Sequence, residues 1–180
     1  MRHLKYSINH ISKTFTKQYS QFYCGLACLA SVVKYYSGET TQEKLRETSG
    51  TTLNGTSLLG LYQAAQKLGF EVGAFEADIQ NLKELKEPVI LHIIKDHTLE
   101  HFVVCYGFNN GKFIIGDPAT GIEYYDEKEL EMVWKSKALL QLTPGKSFVT
   151  QKNESKNKRK WFLQLIKDDY PILAIAAFLG

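Results

Sequence analysis

Gln18-Tyr19-Ser20-Gln21-Phe22-Tyr23-Cys24-Gly25-Leu26-Ala27-Cys28-Leu29 joins a polar, aromatic lead-in to the first turns of an apolar helical pattern. That pattern continues through Val32, Val33 and Tyr36 and stops at Gly38. Cys24 therefore sits at or just before a helix N-terminus, where the positive end of the helix favours negative charge on sulfur. Gly25 and Ala27 are small and leave room for backbone or substrate to come close. Gln18, six residues ahead of Cys24, is spaced to bring a side-chain amide beside the sulfur, where an oxyanion forms in acyl transfer. A cysteine alone in this setting reads first as a buried core thiol. A matching base elsewhere in the chain decides otherwise.

That base is His101, which opens His101-Phe102-Val103-Val104-Cys105-Tyr106-Gly107. Asp117 follows sixteen residues on, in Ile114-Ile115-Gly116-Asp117-Pro118. Cysteine, distant histidine and acid make a nucleophile, a base and an orienting group. Asn109-Asn110-Gly111 between two apolar runs is a strong hairpin signal, and the hairpin brings its outer ends, His101 and Asp117, side by side. Asp-Pro after glycine is also ordinary turn chemistry, so the hairpin is what raises Asp117.

Gln-x5-Cys-Gly-x-Ala-Cys-Leu, then His-Phe-Val-Val, then Gly-Asp-Pro together resemble peptidase family C39, from about Gln18 to about Pro144. Such domains stand at the N-terminus of bacterial peptidase-containing ABC transporters that process bacteriocins and related peptides. The resemblance implies a papain-like fold and a cysteine endopeptidase that cuts leader peptides after a double glycine, while the attached transporter exports the rest. It implies Cys24, His101, Asp117 and Gln18 as site residues, and a narrow cleft suited to glycines. The implied partners are an amphipathic leader and the transporter's own membrane and nucleotide-binding domains, at the cytoplasmic face of the cell membrane. The peptidase chemistry implied needs no cofactor and no metal; ATP belongs to the nucleotide-binding domain. The position before the nucleophile is often acidic in this family and is Tyr23 here. Two other classes stay open: a leader-binding recruitment domain without turnover, and a papain-like amidase or acyltransferase.

The chain has 180 residues, enough for one domain with a sizeable core, and 44% hydrophobic with 23% charged residues is ordinary for a globular protein. The formal net charge is +3. Residues 152–160 hold five basic residues and one acidic residue, so the remainder of the chain sums to −1. A nucleic-acid partner loses its electrostatic footing. Three cysteines and an N-terminus without an apolar core point to a reducing setting in which a thiol survives.

In chain order, residues 1–17 read as an irregular arm with a short strand near Ile8–Ile11, and 18–145 as the peptidase domain. Residues 146–160 read as a basic linker. Residues 161–180 read as a juxtamembrane segment entering a first transmembrane helix, since the apolar run Pro171–Gly180 is half the length a span needs. Within the domain, Thr40-Thr41-Gln42-Glu43 has capping-box spacing and starts a helix that ends at Gly50. A third helix runs from Ser57 to Leu68, a strand from Phe70 to Phe75 and a short helix from Ile79 to Leu85. From Pro88 onward the pattern is β, with Val89–Ile94 a buried central strand. Strands follow at 102–108, 112–116, 121–125 and 138–142, with a helix capped by Asp126 among them. Helices first and strands after define an α+β fold with an antiparallel sheet, and place the site between the two layers.

The remaining histidines divide. His3 and His10 read as surface residues of the arm, and His92 as a core histidine. His97-Thr98-Leu99-Glu100-His101 matches the H-x-x-E-H zinc pattern, which needs a helix, but it lies between β-patterned runs. Cys28 and Cys105 read as core thiols. Gly145-Lys146-Ser147 lacks the first glycine of a P-loop, because Leu140 stands there.

Overall fold

The structure, a computed structural model, describes residues 7–150 except Asn54, Asp96 and His97. Among these residues, five of the six α-helices and all six strands follow the expected order. The arm, however, is not extended: Ile8–Thr14 is a helix, α1, whose N-cap Ser7 accepts from the His10 backbone N–H. Its sequence holds few apolar residues, and the contact that holds it is tertiary. Ile11 is buried, while His10 Nε2 meets the Tyr35 carbonyl oxygen at 2.9 Å and its ring stands edge-on to Tyr35. His10 is thus a tethered residue and not a free surface one.

A single 3-10 turn at Gln21–Tyr23 leads directly into α2, Cys24–Tyr35. All but one of its residues are buried, so it is the central helix of the domain. Each fully buried Leu or Val on it contributes about 1.5–3 kcal/mol. Gly25 faces Leu61 and Phe102; a Cβ there would stand 3.1–3.2 Å from their side chains. The glycine beside Cys24 therefore serves close packing of helix on helix and strand.

Helix α3, Gln42–Ser49, begins one residue later than the capping-box spacing implied. Thr41 is the N-cap and accepts from the Lys44 N–H, so Glu43 closes no box. Gly50 ends the helix at φ 67°, the left-handed position that glycine fills without strain. Helix α4, Leu58–Lys67, is capped by Ser57. Strand β1 (Phe70–Glu76), helix α5 (Ile79–Glu84) and strand β2 (Val89–Lys95) follow. Then come β3 (Leu99–Asn109), β4 (Lys112–Asp117) and β5 (Gly121–Tyr125). Helix α6 (Glu127–Val133), with a capping box between Asp126 and Glu129, and β6 (Ala138–Pro144) complete the domain.

The strands form one sheet, ordered β1-β6-β2-β3-β4-β5, in which every pairing is antiparallel. The first core lies under α1, α2 and α4, where Leu26, Leu29 and Val33 meet Val104, Tyr106 and Ile114. A second core covers the opposite face, where α5 and α6 bring Leu82, Leu130 and Trp134 onto Leu91, Val103 and Ile115. Two apolar faces explain why β2 reads as nearly continuous hydrophobic sequence.

The packed unit runs past Gly145. The Gly145 N–H donates to the Gly69 carbonyl, the Phe148 ring lies 4.4 Å from that of Phe70, and Thr150 bridges to Gly38. The expected basic linker beyond Thr150 and the juxtamembrane segment 161–180 lie outside the described residues, as does His3. Among the described residues no helix is long and apolar enough to cross a membrane.

Candidate active site

Cys24 is the first residue of α2 and is 8% exposed at the floor of a cleft of about 860 Å³. The cleft is lined by Gln18 and Cys24 from the helical side, Ser57 and Leu58 from the start of α4, and His92 and His101 from the sheet. His101 lines the same cleft as Cys24, near enough that the sulfur raises the pKa of its ring. Its Nε2 is 2.8 Å from Asp117 Oδ1.

Asp117 is fully buried and holds three partners. Oδ1 accepts from His101 and from the Ala119 N–H at 2.8 Å, and Oδ2 accepts from Lys95 Nζ at 2.6 Å. Burial alone would raise its pKa. The bonds from His101, Lys95 and Ala119 outweigh burial and hold the carboxyl well below the usual carboxylate range. In His101, burial pulls the pKa down. The hydrogen bond to Asp117, the nearby Cys24 and the Asp117 charge carry it up to about 9. The imidazole is therefore protonated at neutral pH, which suits a thiolate–imidazolium pair.

The hairpin meets its expectation with one addition. Val104 pairs with Gly116 and Cys105 with Ile115, but Phe108 pairs with Phe113, so β3 carries one extra residue between these pairs. Extending the Val104–Gly116 register places Asp117 opposite Val103, two residues from His101 and on its face. The bulge falls at Tyr106–Gly107, where Gly107 has φ 127°.

Gln18 lines the same cleft, and its backbone N–H donates to the Pro118 carbonyl at 3.0 Å, tying it to the loop after Asp117. Its neighbours are clamped by one buried side chain. Gln42 Nε2 donates to the Lys17 carbonyl at 2.7 Å, and Gln42 Oε1 accepts from the Tyr19 N–H at 3.3 Å. Tyr23, next to the thiol, turns away: its hydroxyl accepts from Arg46 Nη1 at 3.1 Å, and it is absent from the cleft lining.

All four residues singled out by sequence thus converge. His92 departs from its reading as a core histidine: it is half-buried, lines the cleft and lies 5.2 Å from the Phe102 ring. Glu100 and His101 are strand residues, so the H-x-x-E-H segment offers no helical face for a metal. Cys28 is buried and donates to the Phe102 carbonyl at 3.2 Å; burial, then Cys24 and Asp117, push its thiol well up. Burial likewise pushes Cys105 up to about 12. Sequence reasoning missed Lys95, the Gln42 clamp and the bulge. Only the bulge carried a local signal, a glycine inside a strand pattern.

A nucleophile at a helix start, facing a histidine–acid pair on an antiparallel sheet, is the architecture of the papain-like cysteine peptidases. Within that class the chain belongs to the peptidase C39 family, whose model matches residues 12–147. It is 42% identical over 100 residues to the lactococcin-G-processing and transport ATP-binding protein of Lactococcus lactis subsp. lactis, covering 54% of this chain and 14% of that protein. It is 30% identical over 164 residues to the transport/processing ATP-binding protein ComA of Streptococcus pneumoniae, covering 89% of this chain and 23% of that protein. The chain thus matches a minor part of each curated relative's length. Among solved structures it resembles the peptidase domain of Streptococcus ComA, with TM-score 0.68 and 36% identity, covering 72% of this chain and 96% of that one. It also resembles a double glycine motif protease from an AMS/PCAT transporter in complex with the leader peptide, with TM-score 0.63 and 30% identity, covering 71% and 89%.

Proposed function

We propose that the chain is a cysteine endopeptidase that cleaves leader peptides after a double glycine, acting with an ABC transporter at the cytoplasmic face of a bacterial cell membrane. The observation that carries this reading is the Cys24–His101–Asp117 arrangement at the floor of a cleft, in a C39 family chain. The Cys24 thiolate attacks the carbonyl carbon of the second glycine. Gln18 and the Cys24 backbone N–H receive the developing oxyanion, each donor being worth about 3–4 kcal/mol. His101 passes its proton to the leaving amine, and the C–N bond breaks to leave a thioester on Cys24. His101 then takes a proton from water, whose oxygen attacks the thioester and releases the leader. Asp117 holds the imidazole in orientation and stabilises its charged form. Residues of the chain move every proton in this sequence, so the chemistry calls for no cofactor. The names of the relatives supply the substrate class: one is a processing and transport protein, and one was solved with a leader peptide.

The test is a synthetic peptide with an amphipathic helix ending in Gly-Gly followed by a short cargo, offered to the 180-residue chain and to Cys24→Ala. The expected result is a cut after Gly-Gly by the wild type, none by the variant, and no effect of a chelator. Binding without cutting would replace the peptidase reading with a recruitment domain. Hydrolysis of amides without regard to Gly-Gly would replace it with an amidase.

A further inference from the structure

Lys95 lies at the end of β2, outside the set of residues that the sequence marked. Its Nζ is 2.6 Å from Asp117 Oδ2, and its side chain is 25% exposed where it borders the cleft. The carboxylate is therefore divided: one oxygen faces an ammonium, the other an imidazole and a backbone N–H. Asp117 itself is 0% exposed. A buried carboxylate with imidazole as its sole charged partner would put its whole charge behind the histidine. A buried ion pair with satisfied lone pairs shares that charge. A histidine held too strongly in its protonated form gives up its proton to a leaving amine less readily.

We infer that Lys95 is a positioning residue of the peptidase site, which fixes the Asp117 carboxylate and limits how firmly that carboxylate holds the proton on His101. The inference rests on the peptidase reading above. It asks for more than an orienting acid: the acid is itself oriented and partly neutralised from the opposite side. The other titratable groups around the pair are Cys24 and Cys28 on α2, His92 on β2, Glu100 on β3 and Tyr125 on β5. Among the hydrogen bonds and ion pairs of the described residues, Lys95 is the cation that contacts Asp117 besides His101.

The test follows two readouts in Lys95→Met, Lys95→Arg and Asp117→Asn. The first is the rate of Cys24 alkylation by iodoacetamide across the neutral and alkaline range, whose inflection reports the His101 proton. The second is kcat and KM on the Gly-Gly peptide. Lys95→Met keeps the length of the stem and removes the charge. It is expected to move the inflection upward, to lower kcat by about tenfold and to leave KM within about twofold. Lys95→Arg keeps a cation beside Asp117 and is expected to restore both readouts toward wild type. Asp117→Asn is expected to move the inflection the opposite way. An inflection that stays in place or falls in Lys95→Met overturns the inference. So does a change confined to KM, which would make Lys95 a substrate contact. Alkylation needs no substrate, so a chain that cuts no Gly-Gly peptide while Lys95→Met shifts the inflection would sink the substrate assignment and keep Lys95 in its role.

Discussion

His101 and Asp117 share one face of the β3–β4 hairpin because β3 carries one more residue than β4 between the Cys105–Ile115 and Phe108–Phe113 pairs. In the Phe108–Phe113 register alone, Asp117 would fall opposite Val104, and the acid and the base would point to opposite faces. Gly107 makes the extra residue possible, since its φ of 127° strains any side chain.

Gly107→Ala should therefore destabilise the domain by about 1–3 kcal/mol, the usual cost of a strained backbone position. Urea titration measures this directly. Deleting Gly107 should be more specific in its damage. The strands can re-pair in a regular register, and the imidazole should then lose its acid. The expected sign is a His101 proton that titrates near the ordinary histidine value, followed by NMR of the ring, in a chain that still gives a β-rich spectrum. A ring that still titrates near 9 after the deletion would dismiss the bulge as the cause.

The raised pKa of His101 sets an alkaline limit. Burial opposes the charged ring, but Asp117 and Cys24 together carry it from 6.5 to about 9. The folded chain thus binds this proton more tightly than the unfolded chain does. The resulting stability is fully present below pH 6.5 and is lost as pH rises through about 9. The kcat/KM profile should fall on the alkaline side near the same value. In Asp117→Asn the carboxylate is gone, and both the stability loss and the activity limb should move toward neutral pH. Chemical denaturation at several pH values, beside the kinetic profile, checks both.

That Cys24, His101 and Asp117 meet at one cleft was legible because each rests on short-range signals. The helix start at Cys24, the turn at Asn110-Gly111 and the apolar runs around them are local, and the hairpin turns two distant residues into neighbours. The Asp126 cap was legible for the same reason, while the cap of α3 falls at Thr41 instead of Thr40 because two threonines compete for one cap. Helix α1 was not legible. Seven residues with one buried side chain cannot hold a helix by propensity, and its support comes from Tyr35 in another helix. Lys95 and Gln42 were hidden by type, since a lysine at a strand end and a glutamine in a helix's first turn ordinarily face water. His92 was misread because a strand that is apolar on both faces gives no sign that one end opens into a cleft.

In the proposed mechanism Gln42 acts through Gln18, whose neighbours it holds. Gln18→Ala should lower kcat by about 10²–10³-fold with little change in KM, as loss of an oxyanion donor does. Gln18→Glu should be no better, because a carboxylate repels the developing charge. Gln42→Leu keeps the volume but releases the backbone at Lys17 and Tyr19 on either side of Gln18. It should lower kcat by about tenfold or more through misplacement of that amide. Combined with Gln18→Ala it should add nearly nothing, since the amide it positions is then gone. Additive losses in the double variant would mean that Gln42 acts elsewhere.

Three buried thiols in unequal surroundings give the simplest check on the electrostatics. Cys28 and Cys105 are held protonated by burial, and neither borders the cleft. Cys24 borders it, at a helix start beside a protonated imidazole. Limiting iodoacetamide at neutral pH should label Cys24 alone, with one modified peptide in the digest by mass spectrometry. Cys24→Ala should remain unlabelled over the same interval. His101→Ala should slow the labelling of Cys24 by about tenfold or more, because the cation that favours the thiolate is gone. Equal labelling of Cys28 in the native chain would contradict its place in the core, where its sulfur donates to the Phe102 carbonyl and solvent has no path to it.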